Sequence, residues 1–300
     1  MEARGPAHRE ETAKPLALNK ILWATDFSPS ALASLPYAVA FARRYHSSVY
    51  LAHVIVPHPY PLVSPDVAPY IEGLSTAASK RLSELSDSAL FTDLPCQTLL
   101  GHGEVAEELN GMVRDHQIDL VVAGTHGRRG LRRFLLGSVS EEIWRTAACP
   151  VLTVGPHVTK QAAAEIDPRQ ILYPTDLSEE SFSAARYALS FALEYASHLT
   201  VLHVVPSAIR TSVRLLARAL RDEVRALIPA EADLWCEPDC VVESGDPAET
   251  ILKVAREQQA DLIVLGVRSP EELAAQRIGN VAYRVVTEAD CPVLTVRSGS

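Results

Sequence analysis

The residues best suited to chemistry lie in one run, Gly124-Thr125-His126-Gly127-Arg128-Arg129-Gly130-Leu131-Arg132-Arg133-Phe134-Leu135-Leu136-Gly137-Ser138-Val139. Two residues separate Gly124 from Gly127, nine separate Gly127 from Gly137, and Ser138 follows at once. Glycines let a backbone approach a ligand closely, and the exposed amides of a helix N-terminus attract anions. The run is therefore suited to cradling phosphates. Ser138 with Glu141 three residues on also has the form of a capping box, and glycines that only turn the chain fit the local sequence equally well.

A second candidate is Asp26, in Ala24-Thr25-Asp26-Phe27-Ser28. Its carboxylate can accept hydrogen bonds from a ligand, or from the chain itself at a turn or cap. His53 and His203 follow apolar residues and read as satisfied buried or sheet-end histidines. With His126, they give no set of nucleophile, base and orienting acid by local spacing. Arg128, Arg129, Arg132 and Arg133 either add positive charge near a bound anion or are simply solvated. The five cysteines, Cys96, Cys149, Cys236, Cys240 and Cys291, are odd in number and scattered, unlike a disulfide framework. Cys236 and Cys240 lack the second pair or nearby histidine that a tetrahedral metal site requires.

Leu120-Val121-Val122-Ala123 precedes the glycine run and has no polar alternation, the pattern of a buried parallel strand. Lys20 to Ser28 reads as a short strand ending in a polar turn, with Ser28 capping a helix that has Pro29 at its first position. The same units then recur. Ile171-Leu172-Tyr173-Pro174-Thr175-Asp176-Leu177-Ser178 repeats the opening, Gly245-Asp246-Pro247-Ala248-Glu249 matches Gly103-Glu104-Val105-Ala106-Glu107, and Cys149-Pro150-Val151-Leu152-Thr153-Val154 returns verbatim as residues 291–296. Ordered matches of this kind mark a duplication. Alternating β-branched runs and helical segments in each copy predict an α/β protein with parallel sheets and right-handed crossovers. Helices are expected near 28–45, 67–90, 105–116 and 138–147, and near 178–196, 211–227, 247–258 and 279–288. Residues 155–168 read as a linker, and the proline-rich stretch from His58 to Pro69 as a surface loop.

At 300 residues the chain has room for two domains; 47% of it is apolar and its formal net charge is -9. The negative balance argues against a general nucleic-acid binder. No apolar run approaches the ~20 residues of a membrane span, and Met1 to Asn19 holds no hydrophobic signal core. A cytoplasmic protein with no membrane span is expected.

The spacing G-x2-G-x9-G-[S/T] after an apolar strand, the openings A-T-D-F-S and P-T-D-L-S, the His-Val pairs at 53–54 and 203–204, and the closing C-P-V-L-T-V resemble the universal stress protein family. The resemblance covers nearly the whole chain in two copies, 16–154 and 168–297. It implies two tandem doubly wound, Rossmann-like domains, each a five-stranded parallel sheet of order 3-2-1-4-5, with a nucleotide at the junction of strands one and four. That junction is also where ligands bind in open α/β sheets generally. By the same resemblance Asp26 contacts ribose hydroxyls or the adenine amine, while Ala24, Thr25, Val54 and Ala123 line the adenosine pocket. Gly124, Gly127, Gly137, Ser138 and Val139 hold the phosphates. Ala24 departs from the family's usual proline.

The implied ligand is ATP, with ADP and AMP as alternatives and Mg2+ as a companion of ATP. The implied activity is that of a stress-response or regulatory nucleotide-binding module rather than a turnover enzyme. A slow ATPase or an adenylyl transferase on the same fold, and an interaction scaffold without nucleotide, are the alternatives; neither H-x-G-H nor S-G-G-x-D-S occurs. The apolar final strands, 151–154 and 293–296, invite pairing, and in the family the last strand mediates dimerisation, so packed halves and a homodimer are expected. No downstream protein partner is indicated. The second copy keeps Asp176, Val204, Gly266 and Gly279, but Ser269 stands for the second glycine and Asn280 for the serine. With Pro270, Glu271 and Glu272 in place of arginines, its phosphate site is expected to be degenerate.

Overall fold

Short apolar runs of β-branched residues become the strands, and the amphipathic segments between them become the crossover helices. In this computed structural model the described residues are 16–56, 67–125, 142–143, 146–158, 163–205, 213–227, 238–267 and 281–297. The contacts divide the chain into two units, one built on Leu18–Pro156 and the other on the chain from Asp167 on.

The first unit runs β1 (Lys20–Ala24), α1 (Pro29–Tyr45), β2 (Ser48–Ile55), α2 (Val67–Ser86), β3 (Cys96–His102), α3 (Val105–His116), β4 (Leu120–Gly124) and β5 (Val151–Val154). Its strands lie in the order β3-β2-β1-β4-β5 and the described pairings are parallel. Ile21 pairs with Val49 on one side and Leu120 on the other, which makes β1 the central strand. Ile21, Leu22 and Trp23 are wholly buried, as a strand covered on both faces requires. The Trp23 indole N–H is satisfied by Ser34 Oγ at 2.9 Å, and Ser34 donates in turn to the Ala31 carbonyl at 2.7 Å.

The second unit repeats this plan: β6 (Gln170–Pro174), α4 (Glu179–Tyr195), β7 (His198–Val205), α5 (Val213–Leu227), β8 (Asp239–Ser244), α6 (Pro247–Glu257), β9 (Leu262–Val267), α7 (Val281–Glu288) and β10 (Val293–Arg297). Its order is β8-β7-β6-β9-β10, again with parallel pairings. The chain is thus an α/β protein of two tandem Rossmann-like domains with sheet order 3-2-1-4-5 in each.

One carboxylate in each unit ties the first and fourth strands together below the sheet. Asp119 accepts the Asn19 and Lys20 amides at 2.7 and 3.0 Å, and Asp261 accepts those of Arg169 and Gln170 at 2.8 and 2.9 Å. The units differ one step before the opposite end. β1 pairs with β4 over four residues, up to Ala24 with Ala123, whereas β6 pairs with β9 only at Ile171 and Leu172. The amide of Thr25 points to β2, donating to the Ala52 carbonyl at 2.9 Å, so that of residue 24 faces β4. Pro174 occupies the equivalent place in β6 and has no amide to offer β9.

The helices match the expected spans to within a few residues except in two places. The second ends at Ser86 rather than near 90, where Ser86 Oγ donates to the Ser83 carbonyl and a 3-10 turn, Ala89–Phe91, follows; serines that bond their own backbone compete with the helix. The helix expected at 138–147 lies largely outside the described residues, of which Glu142, Ile143 and Thr146 are helical. Among the described residues no helix is long and apolar enough to cross a membrane.

Candidate functional site

The carboxyl ends of β1 and β4 are adjacent, and the turn leaving β1 stands over them. Ala24, Thr25, Ala123 and Gly124 are buried at this junction, with Asp26 half-buried beyond it. Val54, buried near the end of β2, completes the set on the other side of β1. The structure therefore gathers the expected residues Ala24, Thr25, Asp26, Val54, Ala123 and Gly124 at one end of one sheet. Gly127, Gly137, Ser138 and Val139, with His126 and the four arginines, lie outside the described residues, as do Ser269, Gly279 and Asn280 in the second unit.

The turn is built by its own polar side chains. Thr25 Oγ1 accepts the Phe27 amide at 2.8 Å, Asp26 Oδ1 accepts the Ser28 amide at 2.9 Å, and Ser28 Oγ caps α1 by accepting the Ala31 amide at 3.2 Å. One oxygen of Asp26 thus performs the turn-forming role open to it from the sequence. The second unit reproduces the device: Thr175 Oγ1 accepts Leu177 N at 3.0 Å, Asp176 Oδ1 accepts Ser178 N at 3.0 Å, and Ser178 Oγ accepts Ser181 N at 3.2 Å.

These bonds hold the intervening residue in a left-handed conformation, φ 61° at Phe27 and 64° at Leu177. For a residue with a Cβ this costs about 1–2 kcal/mol, so the three side-chain bonds offset a local strain. Sequence reading missed Phe27, because an aromatic side chain is a poor signal for positive φ. Its ring packs against His53 at a 46° tilt, with centroids 4.7 Å apart, and the Arg81 guanidinium of α2 lies 4.2 Å from the Phe27 centroid. His53 Nδ1 is 2.7 Å from the Thr25 carbonyl; since a carbonyl only accepts, that nitrogen carries the proton. His203 makes the same bond to Thr175 at 2.8 Å. Both are satisfied sheet-end histidines. Leu177 offers no ring, so the cation-over-aromatic contact belongs to the first unit.

Gly124 has a packing duty that its place in the glycine run does not reveal. A Cβ there would stand 2.6 Å from the Ser30 carbonyl oxygen and 3.0 Å from the Ala31 amide nitrogen, both backbone atoms of α1. The absent side chain lets the N-terminus of α1 press against the end of β4.

The matching thiols of the two units stand ahead of β5 and β10, away from the carboxyl ends of the strands. Burial, and secondly the Asp119 carboxylate, pushes the Cys149 thiol up to about 12; burial and then Asp261 does the same for Cys291. Both therefore remain protonated and unreactive near neutral pH. Among the described residues no group of three or more His, Cys, Asp or Glu is arranged to hold a metal ion.

The universal stress protein family model matches residues 17–155 and again 168–297. A universal stress protein of Mycolicibacterium smegmatis is 28% identical over 293 residues, covering 92% of this chain and 96% of that protein. One of Methanocaldococcus jannaschii is 33% identical over 147 residues, 45% of this chain and 81% of its own length. The crystal structure of a universal stress protein from Archaeoglobus fulgidus shares the fold, with a TM-score of 0.74 at 21% identity, over 95% of this chain and 100% of that one. A universal stress protein solved in complex with cAMP aligns with 46% of this chain at 22% identity, with a TM-score of 0.33. Matched in both halves and aligned with a relative over nearly all of its length, the chain belongs to the universal stress protein family.

Proposed function

We propose that the first unit binds an adenine nucleotide, ATP foremost, at the carboxyl ends of β1 and β4, and that the chain is a stress-response or regulatory binding module rather than a turnover enzyme. The observation that carries this reading is the gathering of a half-buried carboxylate, Asp26, with small buried residues, Ala24, Ala123 and Gly124, where β1 and β4 meet. The donor set suits a nucleoside. Short side chains leave the backbone approachable, Val54 offers an apolar wall, and a carboxylate accepts hydrogen bonds from ribose hydroxyls or an exocyclic amine.

In this reading Ala24, Thr25, Asp26, Val54 and Ala123 hold the nucleoside, and Gly124, Gly127, Gly137, Ser138 and Val139 hold the phosphates, with Mg2+ accompanying ATP. ADP or AMP would use the same nucleoside contacts. The bound group supplies a charged polyphosphate whose presence or length can be sensed by partners. In this reading hydrolysis is slow, below the ~1 s⁻¹ that begins the ordinary enzyme range; among the described residues of the site none stands out as a group to activate water. The two domains, 16–154 and 168–297, are unequal, the second lacking the glycine at 269 and the serine at 280. The protein works in the cytoplasm as a homodimer, without nucleic acid.

Mass spectrometry of small molecules released from freshly purified, denatured protein would identify the ligand, and calorimetry with ATP would count it. One strong site per chain is expected, abolished by Gly137→Val and little changed by Gly279→Val, in a protein that light scattering sizes as a dimer. Two equal sites, or loss of binding only with Gly279→Val, would refute the assignment.

A further inference from the structure

The two units are in step from Gly103 and Gly245 to their final strands, so each position in one has a counterpart in the other. At the turn between the third helix and fourth strand the backbone is the same: the Ile118 amide donates to the Val113 carbonyl at 2.9 Å, and the Ala260 amide to the Ala255 carbonyl at 2.8 Å. The side chains differ. Val113 and Ile118, both about 95% buried, fill the first unit at this point. Ala255 and Ala260 stand in their place in the second and leave out about five carbon atoms.

Beside these alanines is a recess of about 190 Å³, open to solvent and lined by Leu252, Ala255, Gln259, Ala260, Ala289 and Cys291. Its wall is also more apolar than the equivalent part of the first unit, where Asn110 occupies the place of Leu252. The recess lies beside the start of β10, at the end of the second unit's sheet opposite the carboxyl ends of its own strands. At its mouth Arg256 Nε bonds Asp290 Oδ2 at 2.9 Å, both side chains being 55% exposed. The first unit keeps the arginine, as Arg114, but has Ala148 opposite it.

We infer that this recess binds a small amphiphilic carboxylate, its alkyl chain replacing the missing valine and isoleucine carbons and its carboxylate meeting Arg256. Size and charge both favour this occupant. The side chains absent relative to the first unit amount to about five carbons, and the recess, open to solvent on one side, seats an alkyl chain of that length along its apolar wall. Asp290 engages Arg256 through Nε, and the terminal guanidinium nitrogens have no partner among the described residues. A planar guanidinium is matched to a carboxylate, and Asp290 keeps the empty site from carrying an uncompensated positive charge.

The test is methyl NMR of the full chain, following the alanine methyls during titration with hexanoate and, separately, hexan-1-ol. Saturable shifts at Ala255 and Ala260 are expected with hexanoate at a Kd near 1 mM, within the ceiling that ligand efficiency sets for about eight non-hydrogen atoms. Ala260→Ile should abolish them while raising the melting temperature, since it restores the packing of the first unit; Ala255→Val is the second variant with the same expectation. Arg256→Gln should weaken hexanoate about tenfold and leave hexanol unchanged, as a charge-assisted contact implies. Absence of saturation up to about 20 mM, well beyond that expected range, would overturn the inference. So would binding that survives both filling variants, or hexanoate affinity indifferent to Arg256→Gln. None of these readouts depends on nucleotide.

Discussion

At the scale of single residues, two glycines make opposite demands. Gly124 faces backbone atoms of α1 at distances no Cβ tolerates, so Gly124→Ala should destabilise the protein by about 1–3 kcal/mol through overpacking. Gly111, inside α3, has nothing within 4 Å of the place a Cβ would occupy, and Gly111→Ala should stabilise by about 0.5–1 kcal/mol through helix propensity alone. Urea denaturation of both variants checks the pair, and equal effects would contradict the packing assigned to Gly124. The candidate site was legible here to an unequal degree. Thr25, Asp26 and Ser28 announce a turn by residue type, since their side chains bond nearby amides. Phe27 does not, because its positive φ is imposed by neighbours rather than favoured by itself. Arg81 was invisible for a different reason: it reaches Phe27 from another element, and no local spacing records that contact.

At the scale of elements, equivalent helices in the two units are started differently. Asp246 caps α6, accepting the Glu249 amide at 2.9 Å, and also receives Arg284 of α7 at 3.0 Å. Glu104, at the same position before α3, makes no capping bond with its side chain. Asp246→Ala should therefore cost about 1 kcal/mol, chiefly from the cap, since an exposed ion pair adds little. Glu104→Ala should change stability by less than about 0.5 kcal/mol, as surface substitutions usually do. Chemical denaturation decides the matter, and a larger loss from Glu104→Ala would show that the caps were misassigned. Element boundaries were legible where such signals are strong. Ser28 with Pro29 marked the start of α1. The end of α2 was less so, because its serines suit either continuation or termination until tertiary packing, here the burial of Phe91, selects one.

At the scale of the whole molecule, the matching thiols ahead of β5 and β10 give the chain an alkaline limit. Cys149 and Cys291 are both raised from 9.0 to about 12 in the fold, by burial first and by the neighbouring aspartates second. Below pH 9 the thiols are protonated in the folded and unfolded chains alike, and their contribution to stability is fully present. Above pH 9 the unfolded chain loses these protons while the folded chain keeps them, so stability falls as pH rises towards 12, by at most about 1.4 kcal/mol per pH unit for each thiol. Denaturation curves between pH 8 and about 10.5 should show this decline, and the double variant Cys149→Ala/Cys291→Ala should flatten it relative to the parent. An unchanged slope would place the alkaline sensitivity elsewhere. Tandem architecture was legible in the sequence because duplication leaves a trace that no single element carries. Unequal packing of the two copies was not, since Ala255 and Ala260 are ordinary helix-end and loop residues until a counterpart shows what they replace.

The carboxylate of Asp119 that joins the first and fourth strands has a consequence for synthesis. It bonds the amide of Asn19, 100 residues earlier in the chain, and β1 is flanked on one side by β2 and on the other by β4. At translation rates of about 5–20 residues per second, β1 leaves the ribosome some 5–20 s before its second neighbour exists. For that interval a strand that is apolar from Ile21 to Ala24 has an open edge, the condition that invites mispairing. The early-emerging α1, with its apolar face, is then the cover available to it.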